Sequence, residues 1–285
     1  MSNLLRSELR RLFKSRWLWL CVFIEIALNL WLVLKEYEIA LLYRPYSLML
    51  WAKPDELMSE AGVFMVPAIT GVFMVFFIGT EFQDKTLNNK LIYGTRRGTV
   101  YLCELAVCML GALLVYFVGI GVAFGAGLPL LGGLANPTRE VVWRIVIGAT
   151  ATLGFTALYH AIFLYVGRLA LCALFPLPLG VGLFYIASEI EGGLARRQFD
   201  FYVLTEAGKL PSVVVLGENP AYVGGFQRQA YQFFYDFLPS GQLLRCNSFR
   251  DPLPDHPWTF LLYTLLFVSL CGTVGYLLFR KKQLK

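Results

Sequence analysis

Three groups of residues in this sequence are of types that can do chemistry. Glu25, with Asn29 one turn later, lies midway along an apolar run, and His160 lies near the end of another. A carboxyl group in such a run is costly to bury and ordinarily faces a cavity or a partner. Counted from the ends of their runs, Glu25 and His160 fall at similar depth, so a contact between them is expected as a hypothesis. A membrane enzyme would have to use this pair. The third group is the polar segment from Glu81 to Gly98, which contains Asp84, Lys85, Thr86, Lys90, Arg96 and Arg97. It reads as a short helix, polar on one side with Leu87, Leu91 and Ile92 on the other, ended by Gly94. Such a helix is a compact knob suited to a partner's groove.

Other chemistries find no support. The sequence has no G-x-x-x-x-G-K-[ST] loop to cradle phosphate, no H-E-x-x-H and no G-x-S-x-G. Two histidines leave little for a histidine-rich metal site. Of six cysteines, Cys21, Cys103, Cys108, Cys172 and Cys271 lie in apolar runs and only Cys246 in a polar segment. None has disulfide or zinc spacing, and they read as small apolar fillers. No catalytic residue and no metal site is expected.

The elements that position these residues follow from composition. Hydrophobic residues make up 57 % of the 285 residues, charged residues 15 %, and the mean hydropathy is +0.60. Ordinary soluble domains carry about 25 % charged residues. Too few charges remain here to cover a water-facing surface, so an all-α polytopic membrane protein is expected. The net charge of +6 sits at the ends of apolar runs. It therefore reads as topology rather than as a nucleic-acid surface, and no nucleic-acid partner is expected.

Six runs are long enough to cross a bilayer as helices: Trp17–Leu34, Gly62–Gly79, Tyr101–Phe124, Val141–Val166, Leu169–Ala187 and Trp258–Phe279. They are continuous rather than alternating, which excludes a β-barrel. The first follows a basic stretch but is 18 residues long, with no small-residue cleavage site after it, so it reads as a span that stays. Fourteen Lys and Arg lie on the side of the two termini, against four in the opposite short segments. The positive-inside rule then places both termini in the cytoplasm, with residues 188–255 outside.

Three segments break this simple pattern. In the first sixteen residues Leu5, Leu9, Leu12 and Phe13 share one helical face, which predicts an amphipathic helix in the headgroup plane. The fifth span contains Pro176, Pro178, Gly180 and Gly182 after a turn at Gly167-Arg168. A run of this kind predicts a broken backbone, tolerated only against protein or a water-filled cavity. Glu25, Asn29, His160, Pro176 and Pro178 are thus the pathway candidates. The outer segment holds 11 aromatics, with Tyr231, Phe234, Tyr235 and Leu238 at i, i+3, i+4 and i+7. That spacing predicts a short helix ended by Pro239-Ser240-Gly241, dipping into the outer leaflet or capping the bundle as a gate. The stretch from Gln198 to Val215 mixes Phe, Tyr, Val and Leu with turn residues and is expected to be folded too.

At the segment after the second span the chain resembles the permease subunit of a type-2 ATP-binding-cassette transporter. In that family a Glu-aromatic-x-x-x-Thr stretch is followed by a Leu-rich helix and a Ser/Arg-Arg-type turn. Glu81-Phe82, Thr86, Leu87, Leu91 and Arg96-Arg97 fill those places here, with Lys85 where the family usually has Gly. The order of interfacial helix, six spans, tight turn and re-entrant outer helices is similar over nearly the full length.

The resemblance implies residues 1–16 as the interfacial helix and 17–187 as five spans with a coupling helix at 82–94. It implies 188–257 as the folded outer segment and 258–285 as the sixth span with its basic tail. It further implies a second permease copy, identical or a relative, and a separate ATPase subunit that carries ATP and Mg. Glu81, Phe82, Asp84, Thr86, Leu87, Leu91, Arg96 and Arg97 would couple to that subunit. Export of an amphipathic peptide or lipid-like cargo across the plasma membrane is the expected function. The alternative is a membrane sensor or immunity protein that binds a peptide or antibiotic without transport.

Overall fold

The computed structural model describes residues 2–46, 51–84, 86–92, 94–167, 172, 174, 176–204, 212–247 and 253–282. Helix α1 (Ser2–Lys14) is separated from α2 (Arg16–Tyr43) by Ser15, whose extended backbone (φ −68°, ψ 121°) breaks the helical ladder. The Trp19 indole donates to the Phe13 carbonyl at 2.8 Å and fixes the bend. Along α2 the buried residues Leu18, Cys21, Val22, Glu25, Asn29, Val33 and Ala40 recur at helical spacing, while Trp19, Phe23 and Trp31 point outward. One face of α2 therefore packs on protein, and the other is left for lipid or a partner.

Helix α3 (Pro54–Gln83) opens on a proline, tolerated there because the first turn has no intrahelical use for its N–H. The Lys53 N–H donates to Glu56 at 2.7 Å. Asp55 accepts from the backbone of Ala135 and Asn136 at 2.9 and 3.0 Å, clasping the loop between the next two long helices. After α3 come the short α4 (Thr86–Ile92), the long α5 (Arg97–Leu131) and α6 (Thr138–Val166). At 35 residues, α5 is about 52 Å long.

A further helix, α7, covers Pro176–Ala195, and a two-stranded antiparallel hairpin follows, β1 (Phe199–Leu204) with β2 (Ser212–Glu218). Its register pairs Phe199 with Glu218 and Leu204 with Ser212, with one irregularity between Asp200 and Phe201. The outer segment thus departs from an all-α expectation: Phe201–Val203 and Val213–Val215 are β-branched or aromatic residues, which suit strands better than a helix. Helices α8 (Gly225–Phe237), α9 (Pro239–Asn247) and α10 (Thr259–Lys281) complete the chain.

Five helical segments are long and apolar enough to cross a membrane among the described residues: Arg16–Tyr43, Met65–Gln83, Arg97–Leu131, Thr138–Val166 and Thr259–Lys281. They correspond to the first four expected spans and the last. The expected span Leu169–Ala187 lies partly outside the described residues. Within Pro176–Ala195 the helix is unbroken, and the residues just before it lie outside the described ones. Pro176 and Pro178 fall in the first turn of α7, and the helix runs on past Gly180 and Gly182 to Ala195.

The main core is built where α3, α5 and α6 meet, around Phe73, Phe77, Val107, Phe155, Tyr159 and Phe163. Helix α10 packs mainly on α6, and α2 mainly on α5. Helices α8 and α9 form a re-entrant pair. Phe237 caps α8 against Phe267 of α10, and α9 then starts at Pro239, not at a turn that ends the element. Pro239 lies against Gly154, near the middle of α6, while Cys246 at the other end of α9 meets Arg144 near the start of α6. The pair therefore reaches halfway into the bundle and returns. Gln242 bonds the Asp236 carbonyl at 2.9 Å and accepts from Thr264 at 3.0 Å, which satisfies polar groups at that depth.

Candidate functional site

Helices α1, α3 and α4 meet at one end of the bundle, together with the start of α5 and the end of α10. Helix α1 does not simply float in a headgroup plane. Leu12 is buried, and Leu4, Leu5 and Leu9 pack on the same core, with Leu12 against Gly111 of α5. Phe13, expected on that face, is exposed instead.

The apolar face of α1 also carries Glu8, which is 3 % exposed. Sequence reasoning missed it, although its spacing was visible: Glu8 falls between Leu5 and Leu12, three residues from one and four from the other. Lys90 of α4 reaches inward and holds two carboxylates at once, Glu8 of α1 and Glu81 at the end of α3, each at 2.6 Å. Arg11 pairs with the same two, contacting Glu8 at 3.0 Å and Glu81 directly. Its guanidinium lies 4.1 Å from the centre of the Phe77 ring. Both carboxylates are taken out of water while the two cations stay partly exposed, so removing a cation strands a buried carboxylate.

Below this set sits Glu104 of α5, buried to 1 % exposure, with neither oxygen bonded among the described residues. It lies within electrostatic reach of Lys90, Arg11 and Glu8. Three carboxylates therefore face two cations.

The expected coupling residues divide into two faces. Leu87 is fully buried and Leu91 partly so, both turned into the core, while Thr86 bonds back to the Glu81 carbonyl at 3.4 Å. Asp84, Thr86, Asn89 and Ile92 are exposed, Ile92 to 79 %. The apolar side of α4 is thus its anchor, and the free face is mostly polar with one projecting isoleucine. The helix itself is shorter than the expected 82–94: α3 runs through Gln83, and Lys85 and Tyr93 lie outside the described residues. Gly94, at φ +80°, turns the chain back, and its N–H donates to Leu91 at 3.0 Å.

Phe82 is half-buried beneath the Lys282 ammonium at 4.7 Å. Burial pushes the Lys282 amine below the ordinary lysine range, and it donates to the Leu164 carbonyl at 2.8 Å. Arg96 is exposed at the start of α5. Arg97 instead caps α10, donating to the carbonyls of Arg280 and Lys282 at 2.8 Å.

The pathway candidates do not come together. Glu25 accepts from Asn29 at 3.0 Å and lies against Gly119 of α5, where any side chain would collide with the carboxylate. His160 packs edge-on against Tyr101 of the same helix, ring centres 4.8 Å apart. Gly119 and Tyr101 are eighteen residues apart, about 27 Å along α5, so the expected Glu25–His160 contact does not form. The reason is α1: by occupying the stretch beside the first turns of α5, with Leu12 at Gly111, it makes α2 begin well inside the level where α5 starts and α6 ends. Pro176 is buried against Gly71, and its carbonyl accepts from Tyr159 at 3.2 Å, whereas Pro178 is exposed. Of the outer gate candidates, Tyr235 is buried, Tyr231 and Leu238 half-buried, and Phe234 exposed, so the stripe they form along α8 is only partly covered by protein.

Long apolar helices, a buried ionic junction at one end and a re-entrant pair at the other define a polytopic membrane protein. A model of the ABC-2 family transporter proteins matches residues 4–189, well over half the chain, and the chain belongs to that family as a membrane permease component. No curated protein is similar enough to the chain to count as a match. The matched stretch contains all four helices that supply charges to the junction.

Proposed function

We propose that the chain is the membrane-spanning half of an ATP-driven exporter in the plasma membrane. In this reading it has six spans, both termini are cytoplasmic, and it works as a pair of permease copies. A separate ATP-binding-cassette subunit, which holds ATP and Mg, docks on α4. The observation that carries the reading is Lys90. It stands on the short helix α4 and is tied at 2.6 Å to both α1 and α3. A push on the exposed face of α4 is then transmitted through buried ion pairs to two other helices, which is how a rigid knob moves a bundle between two states.

The surface offered to the ATPase is Asp84, Thr86, Asn89 and Ile92, with Leu87 and Leu91 anchoring it from behind. The cargo we propose is an amphipathic peptide or a lipid-like compound. Support comes from the apolar outer helix α8, where Phe226, Phe233 and Phe234 are exposed. The test is co-purification with a candidate ATPase, comparing wild type with Asp84→Lys and Ile92→Asp. Loss of the complex and of permease-stimulated ATP hydrolysis, with an unchanged melting temperature, supports the reading. A complex that both variants leave intact refutes it.

A further inference from the structure

Away from the ionic junction, α5 and α10 enclose a groove of about 520 Å³. Its walls are Gly98, Leu102 and Leu105 on α5 and Ser269, Gly272 and Tyr276 on α10. Arg97 pins the two helices together at the end nearest α4 by bonding the last carbonyls of α10. Further in, the small residues leave the space between them unfilled: a methyl group on Gly272 would meet only Leu105, at 3.9 Å. Leu102 on one rim and Leu265, Leu266 and Leu270 on α10 are exposed, so the groove opens toward the bilayer. From Val268 at its inner end to Arg280 is twelve residues, about 18 Å of helix, close to the half-thickness of a bilayer's hydrocarbon core at about 15 Å.

The mouth of the groove is cationic. Arg96, two residues before Gly98, and Arg280 and Lys281, about one turn beyond Tyr276, are exposed at that end, and no carboxylate pairs with them among the described residues. The sequence explains why: neither Leu87–Leu102 nor Thr259–Lys285 contains an Asp or Glu. We infer that the α5–α10 groove is a binding site for one anionic phospholipid from the leaflet on the α4 side of the membrane. One acyl chain lies along Leu102, Leu105 and Gly272, and the headgroup phosphate rests on Arg96, Arg280 and Lys281. A basic pocket between membrane helices at the headgroup level selects anionic lipids by this means. The inference does not depend on how the ATPase docks, because the groove and α4 share no residue.

Native mass spectrometry tests it on the purified full-length protein, with phosphatidylglycerol and phosphatidylcholine offered in competition. The wild type is expected to retain one phosphatidylglycerol per chain. The pair Arg280→Gln and Lys281→Gln should weaken that retention by roughly thirtyfold while leaving phosphatidylcholine unaffected. Gly272→Leu fills the groove and should abolish retention of either lipid there. Equal retention of both lipids by the wild type overturns the inference, as does retention that Gly272→Leu does not change. A change in oligomer mass with Gly272→Leu overturns it too, by showing that a second copy covers the groove. Should that variant fail to fold, a phosphatidylglycerol carrying a photoreactive acyl chain, used on the wild type, must label Leu102 or Ser269. Labelling elsewhere only would refute the site.

Discussion

Lys90→Met removes the cation shared by Glu8 and Glu81 while keeping the length of the side chain. At 2.6 Å and an effective dielectric of about 20, each contact contributes roughly 6 kcal/mol of attraction before desolvation is subtracted. Most of that is offset by the cost of burying the charges, and Arg11 continues to hold one oxygen of each carboxylate. What remains is the penalty of leaving two buried carboxylates under-compensated, about 3 kcal/mol at the low end for breaking a buried ion pair. With roughly 2–4 °C per kcal/mol for a chain of this size, the melting temperature of the detergent-purified protein should fall by about 6–12 °C. Adding Glu8→Gln to Lys90→Met should recover a large part of the loss, because one stranded charge is removed. A fall of less than about 2 °C, or a double variant no better than the single one, would refute the ionic junction as the anchor of α4.

Glu104→Gln removes the third carboxylate, which has no partner among the described residues, and should raise the melting temperature by a few degrees; a fall would show that its charge is used. Gly119→Ala should destabilise by about 1–3 kcal/mol through collision with Glu25, and Glu25→Ala in the same chain should relieve it; additive losses in a double-mutant cycle would contradict the packing. Arg144→Ala should loosen the re-entrant pair by removing the clasp on the Cys246 carbonyl, seen as faster proteolysis within residues 219–258 at unchanged cleavage elsewhere. Ile92→Asp, on the exposed face of α4, should leave the melting temperature within about 1 °C and lower permease-stimulated ATP hydrolysis, measured with the partner ATPase.

The apolar runs were legible because lipid-spanning helices need about 20 apolar residues whatever surrounds them. Their true ends were not. Helix α2 runs on to Tyr43 through Lys35, Glu36 and Glu38, good helix formers that hydropathy discards. The leucine spacing of α1 was readable, and Glu8 stood on the same stripe, but its two cationic partners come from α1 itself and from a segment over eighty residues away. No local pattern indicates that Lys90 points inward. The depth of Glu25 was misread for a related reason: residue counting assumes that all spans start at one level, whereas α1 shifts the start of α2. Pro176 and Pro178 read in the sequence as a break facing a pathway, and only the contacts of Pro176 with Gly71 and Tyr159 show that it is packed against protein.

The seat of Pro239 against the middle of α6 has a consequence for how the chain is made. Residues 225–247 leave the ribosome before α10 does, yet the pair they form leans on α10 through Phe237 and Phe267 and through Gln242 and Thr264. Hairpin backbone cannot wait inside hydrocarbon without partners. Seating must therefore come late in biogenesis, after the final helix has been threaded, as a post-insertional step in which the outer segment sinks back into a bundle already assembled. Chains stopped short of Thr259 would display Pro239–Asn247 to the aqueous side, where a membrane-impermeant reagent could reach Cys246; in the finished protein that thiol is closed off.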